Sequence, residues 1–167
     1  EVVLSSPSTY SAYEAGVHSV MSDNICFPAK LLHSHVYELV AKKVDRIFFP
    51  YVVFERSEGP DTNNSYNCPV VAGYSELIKN AIMPDIPVDA PGVTFKDEKM
   101  LRKVCTAYLE GLGANKKTAR QAFDAAMREQ ESFRSQIREL NKDALRETRT
   151  AGGMTILLAG RPYHNDP

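Results

Sequence analysis

The chain has 167 residues, of which 43% are hydrophobic, so it is long enough to bury a core of ordinary size in one domain. Its 20 Lys and Arg residues almost balance 21 Asp and Glu residues, which leaves no strong field to attract nucleic acid or an anionic membrane. The apolar runs are too short to cross a bilayer. Three cysteines do not make a secreted disulfide framework, and this favours the reducing cytoplasm.

The first half of the chain predicts strands that alternate with helices. A β-rich run at Val2–Leu4 predicts the first strand, and a weakly helical segment follows over 10–20. Apolar residues at helical spacing predict a helix over 28–43, which begins with a proline because the missing N–H would be unpaired in a first turn. The run DRIFFPYVVF predicts a buried strand at Ile47–Phe49 that continues after the next proline.

The second half continues this alternation. After a polar loop, helices are predicted over 71–83 and 97–112, with a proline-broken strand around 88–94 between them. The run MTILLAG predicts a last strand at Thr155–Leu158. Strands that alternate with helices argue for an α/β fold in which a mostly parallel sheet is flanked by helices, a Rossmann-like arrangement.

A long helix is predicted from about Lys116 to about Arg149, where the pattern is the most regular in the chain. Eight positions alternate spacings of four and three, which places one apolar seam along a helix roughly 50 Å long. The seam positions are Ala119, Phe123, Ala126, Gln130, Phe133, Ile137, Leu140 and Ala144. We expect the seam to be buried against the body of the domain or against a second chain; a dimeric coiled coil is the alternative. Asn115 is the expected N-cap, and the glycines after the helix are the expected stop.

Two cysteines stand at predicted helix starts. Cys26 precedes a proline by two residues and Cys68 directly precedes one, and each lies in a connection from a strand to a helix. In a parallel sheet such connections meet at the carboxyl ends of the strands, so both thiols are expected to face one crevice. The unpaired N–H groups and the positive end of the helix dipole favour a thiolate there, which binds iron or zinc or attacks an electrophile. Cys105 lies within a predicted helix and is expected in the core.

The residues around these cysteines leave alternatives open. Zinc held by Cys26, Cys68 and a histidine is one, and burial of both thiols as small apolar side chains is another. Lys30 lies one turn after Cys26, where it either stabilises a thiolate or is a solvated helix residue. His33 and His35 lie two residues apart and point in different directions on a helix, so they do not both bind one ligand.

The chain's last residues form the loop GRPYHNDP. Arg161 and His164 follow a predicted strand, where they either hold a phosphate or CoA group or form a packed turn. We expect two parts: an α/β domain with the long helix over 1–153, and a strand and loop over 154–167 that begin or complete a further α/β unit. Because the sequence starts without methionine and stops directly after a strand-like run, we expect it to be a piece of a longer protein.

Three motifs, CFPAKLLHSHV, NCPVVAGYSELI and GRPYHNDP, occur in this order with the long helix before the last. They resemble the dehydratase-like region of CoA-substrate-specific enzyme activases, which are related to the 2-hydroxyacyl-CoA dehydratases, over nearly the whole chain. The resemblance implies an iron–sulfur-associated module that serves ATP-coupled one-electron chemistry on an acyl-CoA. It also implies a [4Fe–4S] cluster with Cys26 and Cys68 among its ligands. The substrate- or phosphate-binding candidates are Lys30, His33, Arg161 and His164.

The resemblance further implies partners: an activator ATPase module of the same or another chain, and an acyl-CoA or a partner dehydratase. A homodimer is a further expectation, whereas nucleic acid and membrane are not expected. A cluster takes three or four thiolates, so another ligand is expected beyond Pro167. The chain has no glycine-rich phosphate loop of the P-loop type, so the ATPase is expected elsewhere. The alternative is a non-catalytic scaffold that docks an activator ATPase to its partner dehydratase, and whether the chain is itself an enzyme stays open.

Overall fold

The structure is a computed structural model that describes residues 1–57, 59, 61 and 64–157. Contacts divide the chain into two compact units, Glu1–Tyr108 and the residues from Leu109 onward. The elements are α1 (Tyr10–Gly16), α2 (Phe27–Ala41), β1 (Ile47–Phe48), β2 (Tyr51–Phe54), α3 (Pro69–Ile82), β3 (Val88–Asp89), β4 (Gly92–Thr94), α4 (Glu98–Gly111) and α5 (Lys116–Thr150). A 3-10 turn, Val17–Ser19, continues α1. The predicted α/β fold class is confirmed, whereas the Rossmann-like arrangement is not established by these short sheets.

The strands of the first unit pair in parallel. β1 pairs with β3 and β2 pairs with β4. Between the two pairs, Pro50 separates β1 from β2 and Pro91 separates β3 from β4. Hydrogen bonds bridge the interruption, from Phe49 N to Asp89 O at 2.8 Å and from Tyr51 N to Pro91 O at 3.2 Å. These two bonds make the pairs one nearly continuous ladder. The gap between the pairs arises because proline lacks the N–H that the ladder needs at its own position.

Helices α2 and α3 reach the sheet through equally short connections. Residues 42–46 lead from α2 into β1, and residues 83–87 lead from α3 into β3. A helix that turns so tightly into a strand runs antiparallel to it, and β1 and β3 are parallel to each other. We therefore infer that α2 and α3 run in the same direction, with both N-termini at the end where the strands finish.

The core of the first unit lies between these two helices and the strands. Its buried members are Ala29, Val36, Ile47, Tyr74, Ile78 and Val88. They come from α2, β1, α3 and β3, and Ile78 has no exposed surface. Burial of a large apolar side chain contributes about 1.5–3 kcal/mol to the free energy of folding. The packing of these side chains therefore holds the helices on the strands.

The predicted strand at Val2–Leu4 is wrong. These residues are assigned to no strand, and the side chains of Val2 and Leu4 are 86% and 78% exposed. The segment lies along α2 instead: Lys42 Nζ donates to Leu4 O at 3.0 Å, and the Glu38 carboxylate accepts from Ser6 N. Bonds from Lys42 and Ser6 lower the pKa of Glu38 to about 2. Cys26 therefore follows α1 and the 3-10 turn rather than a first strand.

In the second unit, α5 has the predicted ends. The Asn115 side chain accepts from Thr118 N at 2.9 Å and caps the start of the helix. At the other end Gly152 adopts a φ of +66°, and Gly153 N donates to Thr148 O at 2.9 Å. This left-handed turn is one that glycine adopts without strain, so it ends the helix.

The expectation that the whole seam of α5 is buried against the domain is wrong. Ala119 and Phe123 are buried, but Phe133 is 61% exposed and Leu140 is 64% exposed. The distal helix forms without such cover because it is rich in strong helix formers and carries ion pairs between its own turns, such as Lys142–Glu139 at 2.7 Å. Burial by a second chain stays a prediction.

The predicted last strand lies partly outside the described residues. Thr155, Ile156 and Leu157 are assigned to no strand and are exposed, whereas Leu158 and the loop to Pro167 are outside. The division of the chain at residue 153 stays a prediction. None of the helices in the described part of the chain combines the length and apolar content that a membrane crossing needs.

We expect Gly16→Ala to destabilise the first unit by about 1–3 kcal/mol, because a Cβ at Gly16 would stand 2.6 Å from Ser34 N, a backbone atom that cannot move aside. Gly73→Ala in α3 is the control: nothing lies within 4 Å of its added Cβ, and alanine favours a helix by about 0.5–1 kcal/mol. Urea unfolding of both variants measures the difference. Equal effects would contradict the close α1–α2 approach.

We expect Phe123→Ala to lower the free energy of unfolding by about 3–5 kcal/mol, as truncation of a buried aromatic residue does. Phe133→Ala is the matched variant on the same seam, and in the monomer it should change stability by about 0.5 kcal/mol or less because its ring is exposed. Thermal unfolding at low protein concentration compares them. A similar loss in both would show that Phe133 is covered.

Candidate functional site

Cys26 and Cys68 both occupy helix N-caps. Cys26 is the N-cap of α2 and Cys68 is the N-cap of α3, and each has an extended ψ, 149° and 137°, with no side-chain capping bond. Both thiols are exposed and free. Because we infer that α2 and α3 run in the same direction, both N-cap cysteines are placed at the same end of the helix pair. Whether their thiols converge on one site stays a prediction.

Backbone contacts fix the segments that lead into both helices. Before α3, Asn67 N donates to Val53 O at 2.9 Å, and its side-chain amide donates to Val52 O at 3.2 Å. These bonds hold Cys68 close to the carboxyl end of β2. Before α2, Lys30 Nζ donates to Asp23 O at 2.9 Å, which ties the first turn of the helix to the loop that carries Cys26.

A buried hydrogen-bond chain joins the two cysteine-bearing helices. His33, in α2, has no exposed surface, and its Nε2 lies 2.9 Å from the hydroxyl of Tyr74 in α3. Its Nδ1 lies 2.7 Å from Ser19 Oγ, which itself donates to Gly16 O at 3.0 Å. Because the serine proton is used at Gly16, we assign the ring proton to Nδ1, so that Nε2 accepts from Tyr74.

Two effects favour the neutral form of the His33 imidazole. Burial lowers the pKa of His33, and the neighbouring His18 lowers it further. Burial raises the pKa of Tyr74, and the negative charge of a Cys26 thiolate raises it further. The tyrosine is therefore within electrostatic reach of Cys26 while its hydroxyl is bonded to His33.

The other predicted site residues have different surroundings. His33 is fully buried, and both ring nitrogens are hydrogen-bonded, to Ser19 and to Tyr74. Binding of a ligand by this side chain would require one of these bonds to break. Lys30 is half-buried and bonded to Asp23, and Cys105 is half-buried in α4 with its pKa raised by burial. Arg161 and His164 lie outside the described residues. The roles predicted for these side chains stay predictions.

The described residues supply two thiols rather than a full ligand set. Within the part of the chain that the structure describes, no three His, Cys, Asp or Glu side chains stand close enough together to hold a metal ion. What the arrangement offers is a pair of soft sulfur donors at two helix N-termini, where partial positive charge complements an anion.

Sequence reasoning missed Tyr74 and Ser19. Tyr74 lies six residues after Cys68, and His33 lies seven residues after Cys26, so each stands about two turns into its helix. The available signal was an aromatic residue with a polar tip on the apolar face of α3, since a buried tyrosine hydroxyl requires a partner. Nothing local in the sequence shows that the partner is His33.

We expect the chain to lose stability as the pH falls below about 6.5, the ordinary pKa of histidine. Below pH 6.5 the unfolded chain binds a proton at His33, whereas the lowered pKa in the folded chain disfavours protonation of this ring. The free energy of unfolding therefore decreases as the pH falls from about 6.5 to the pKa of His33 in the folded chain. The slope from one such group is at most about 1.4 kcal/mol per pH unit.

Urea unfolding at pH 7.5 and 5.0 measures this loss. His33→Gln should unfold more easily at pH 7.5 and show a smaller pH dependence than the parent chain. The control is His35→Gln, because His35 is only partly buried and bonds to Ser8 Oγ at 3.0 Å. An unchanged pH profile in His33→Gln would contradict the buried neutral imidazole.

Comparison with known proteins agrees with the motifs at the two helix starts. The family model described as the CoA enzyme activase uncharacterised domain matches residues 1–167. No curated protein and no solved structure matches the chain. The match spans every element described above, including α2 and α3 with their N-cap cysteines and the long α5. The chain belongs to the CoA enzyme activase uncharacterised domain family.

Proposed function

We propose that this CoA enzyme activase domain is an iron–sulfur-associated module and that Cys26 and Cys68 are two of the thiolate ligands of a [4Fe–4S] cluster. The observation that supports it is the placement of two exposed cysteines at the N-caps of two helices that run in the same direction. A cluster ligand must be accessible, and both thiols are exposed.

The donor chemistry fits such a cluster in part. Iron–sulfur clusters are held by cysteine thiolates, commonly four, and two exposed cysteines stand at the N-caps of α2 and α3. The remaining ligands are therefore proposed to come from beyond the described residues or from a partner. When bound, the cluster supplies one-electron transfer, which in the proposed function serves ATP-coupled chemistry on an acyl-CoA.

In this proposal the chain's own residues keep the two thiols in place. Asn67 holds the segment before Cys68 on β2, and Lys30 holds the loop before Cys26. The bond between His33 and Tyr74 ties the two helices together about two turns behind the thiols. The ammonium group of Lys30 also places a positive charge one turn after Cys26, where a thiolate or a phosphate of CoA would benefit from it.

The proposed partners follow from the family. An activator ATPase module, in the same or another chain, would supply the energy for electron transfer, and a partner dehydratase or an acyl-CoA would receive the electron. Arg161 and His164 are proposed to contact the phosphate groups of such a substrate. Exposed thiols of this kind persist in a reducing compartment, so we propose the cytoplasm as the location.

A scaffold that docks an activator ATPase to its partner dehydratase is the second candidate. The distal part of α5 favours it, because Phe133, Ile137 and Leu140 are exposed on one side of the helix. Large exposed apolar side chains in a row are typical of a binding surface. Metal content separates the two candidates, since a scaffold needs no cluster.

The test is the iron and acid-labile sulfide content of the intact protein purified without oxygen. We expect about four irons and four sulfides per cluster in the parent protein and a loss of most of both in Cys26→Ser and in Cys68→Ser. Cys105→Ser is the matched control, since this thiol is half-buried within α4, and it should keep the parent content. A parent protein that holds neither iron nor sulfide would contradict the cluster proposal and favour the scaffold. Iron that persists in the Cys26→Ser, Cys68→Ser double variant would contradict ligation by these two cysteines.

A further inference from the structure

The distal seam of α5, defined as the seam positions from Ala126 to Ala144, is an apolar face without cover in the described chain. Phe133 is 61% exposed, Ile137 43% and Leu140 64%, and they recur at spacings of four and three. This spacing is the heptad pattern of helices that wrap around a partner helix. An exposed apolar row of this kind on a 35-residue helix indicates a binding surface for a partner.

We propose that the occupant is a second copy of α5, paired in parallel and in register as a two-stranded coiled coil. This inference goes beyond the proposed cluster function and does not depend on it. Three features of the helix support the choice: the charges that flank the seam, the single large polar residue on it, and the position of the helix's own ion pairs.

The flanking charges fit a parallel pair. In the heptad the positions a are Phe123, Gln130, Ile137 and Ala144, and the positions d are Ala119, Ala126, Phe133 and Leu140. In a parallel dimer each g residue faces the e residue five positions later on the other helix. The resulting pairs are Ala122 with Met127, Glu129 with Arg134, Gln136 with Asn141, and Asp143 with Thr148. One pair joins opposite charges, Glu129 with Arg134, and none of the four joins like charges.

An antiparallel pair would not match in this way. It would set g residues against g residues and e residues against e residues. The g set contains Glu129 and Asp143 and the e set contains Arg120 and Arg134, so each row would face its own charge sign. Opposite charges across the seam therefore select the parallel orientation.

Gln130 selects the register. A polar residue at a single a position favours the alignment in which it meets its own copy, because any other alignment buries its amide against apolar side chains. In the parallel, in-register dimer the two Gln130 amides bond to each other. A shift by one heptad would place each Gln130 between aliphatic and aromatic layers.

The ion pairs that α5 makes within itself leave the Glu129 and Arg134 side chains available. Arg138 is bonded to Glu131 at 2.9 Å and Lys142 to Glu139 at 2.7 Å, all at positions away from the seam, whereas Asp143, which flanks the seam, pairs with Arg146. Among the described residues, neither Glu129 nor Arg134 takes part in an ion pair. Because the distal seam is shorter than three heptads, we expect a dimer that dissociates on dilution.

Sedimentation equilibrium of the 167-residue chain over a range of concentrations tests the dimer. Ile137→Glu should weaken dimerisation at least tenfold, because it places a charge in the seam. Leu145→Glu is the matched control: Leu145 is also 43% exposed on α5 but lies at position b, off the seam, so the dissociation constant should stay within twofold. A parent chain that stays monomeric at several hundred micromolar, or an equal effect of both variants, would overturn the proposal.

Charge exchange tests the orientation in the same assay. Glu129→Arg and Arg134→Glu should each weaken the dimer severalfold, because each places like charges opposite one another twice per dimer. The double exchange should restore the parent dissociation constant. Single variants that dimerise more tightly than the parent would indicate an antiparallel pair and overturn the parallel arrangement.

Discussion

The hydrogen bond between Tyr74 and His33 is the contact on which the rest of the candidate site depends. It is buried, it joins α2 to α3, and it lies about two helical turns after each cysteine N-cap. A buried donor or acceptor that loses its partner costs about 1–3 kcal/mol, so the bond favours one alignment of the two helices over any that breaks it. Ser19 completes the chain by fixing the tautomer of the imidazole.

This bond links the fold to the proposed function. The apolar core and the parallel ladder bring α2 and α3 onto one face of the strands, but apolar packing alone permits small shifts along the helix axes. A directional bond between Nε2 and a phenol hydroxyl removes that freedom. The bond thereby restricts the relative position of the two helix starts that carry the cysteines. Two ligands of one cluster require such a restriction.

The elements that the sequence predicted well are those with both a period and a boundary signal. Helices α2, α3 and α5 combine apolar spacing with a proline or asparagine at the start, and their bounds agree with the prediction within a few residues. The run at Val2–Leu4 had neither signal, because a short β-rich run looks the same in a strand and in an arm that lies along a helix. Periodicity showed which side of α5 is apolar, but it does not show what covers that side.

The candidate site was predictable only in part for a similar reason. The position of the two cysteines at helix starts is predictable from the neighbouring residues, since a proline in the first turn marks a helix start. The partnership of His33 with Tyr74 joins residues 41 positions apart, and it arises from how the helices pack. The same holds for the close approach of Gly16 to Ser34, which only the crossing of α1 and α2 creates.

The central claim is that the two N-cap thiols converge at one end of the helix pair, and a short bifunctional thiol reagent tests it most directly. Dibromobimane becomes fluorescent when both of its arms have reacted, and it is applied to the Cys105→Ser chain so that only Cys26 and Cys68 remain. The account predicts that the folded chain forms the cross-link much faster than the same chain in urea, with one reagent joining the two cysteines in peptide mapping. Two separate single additions to the folded chain, with no gain over the unfolded chain, would contradict it.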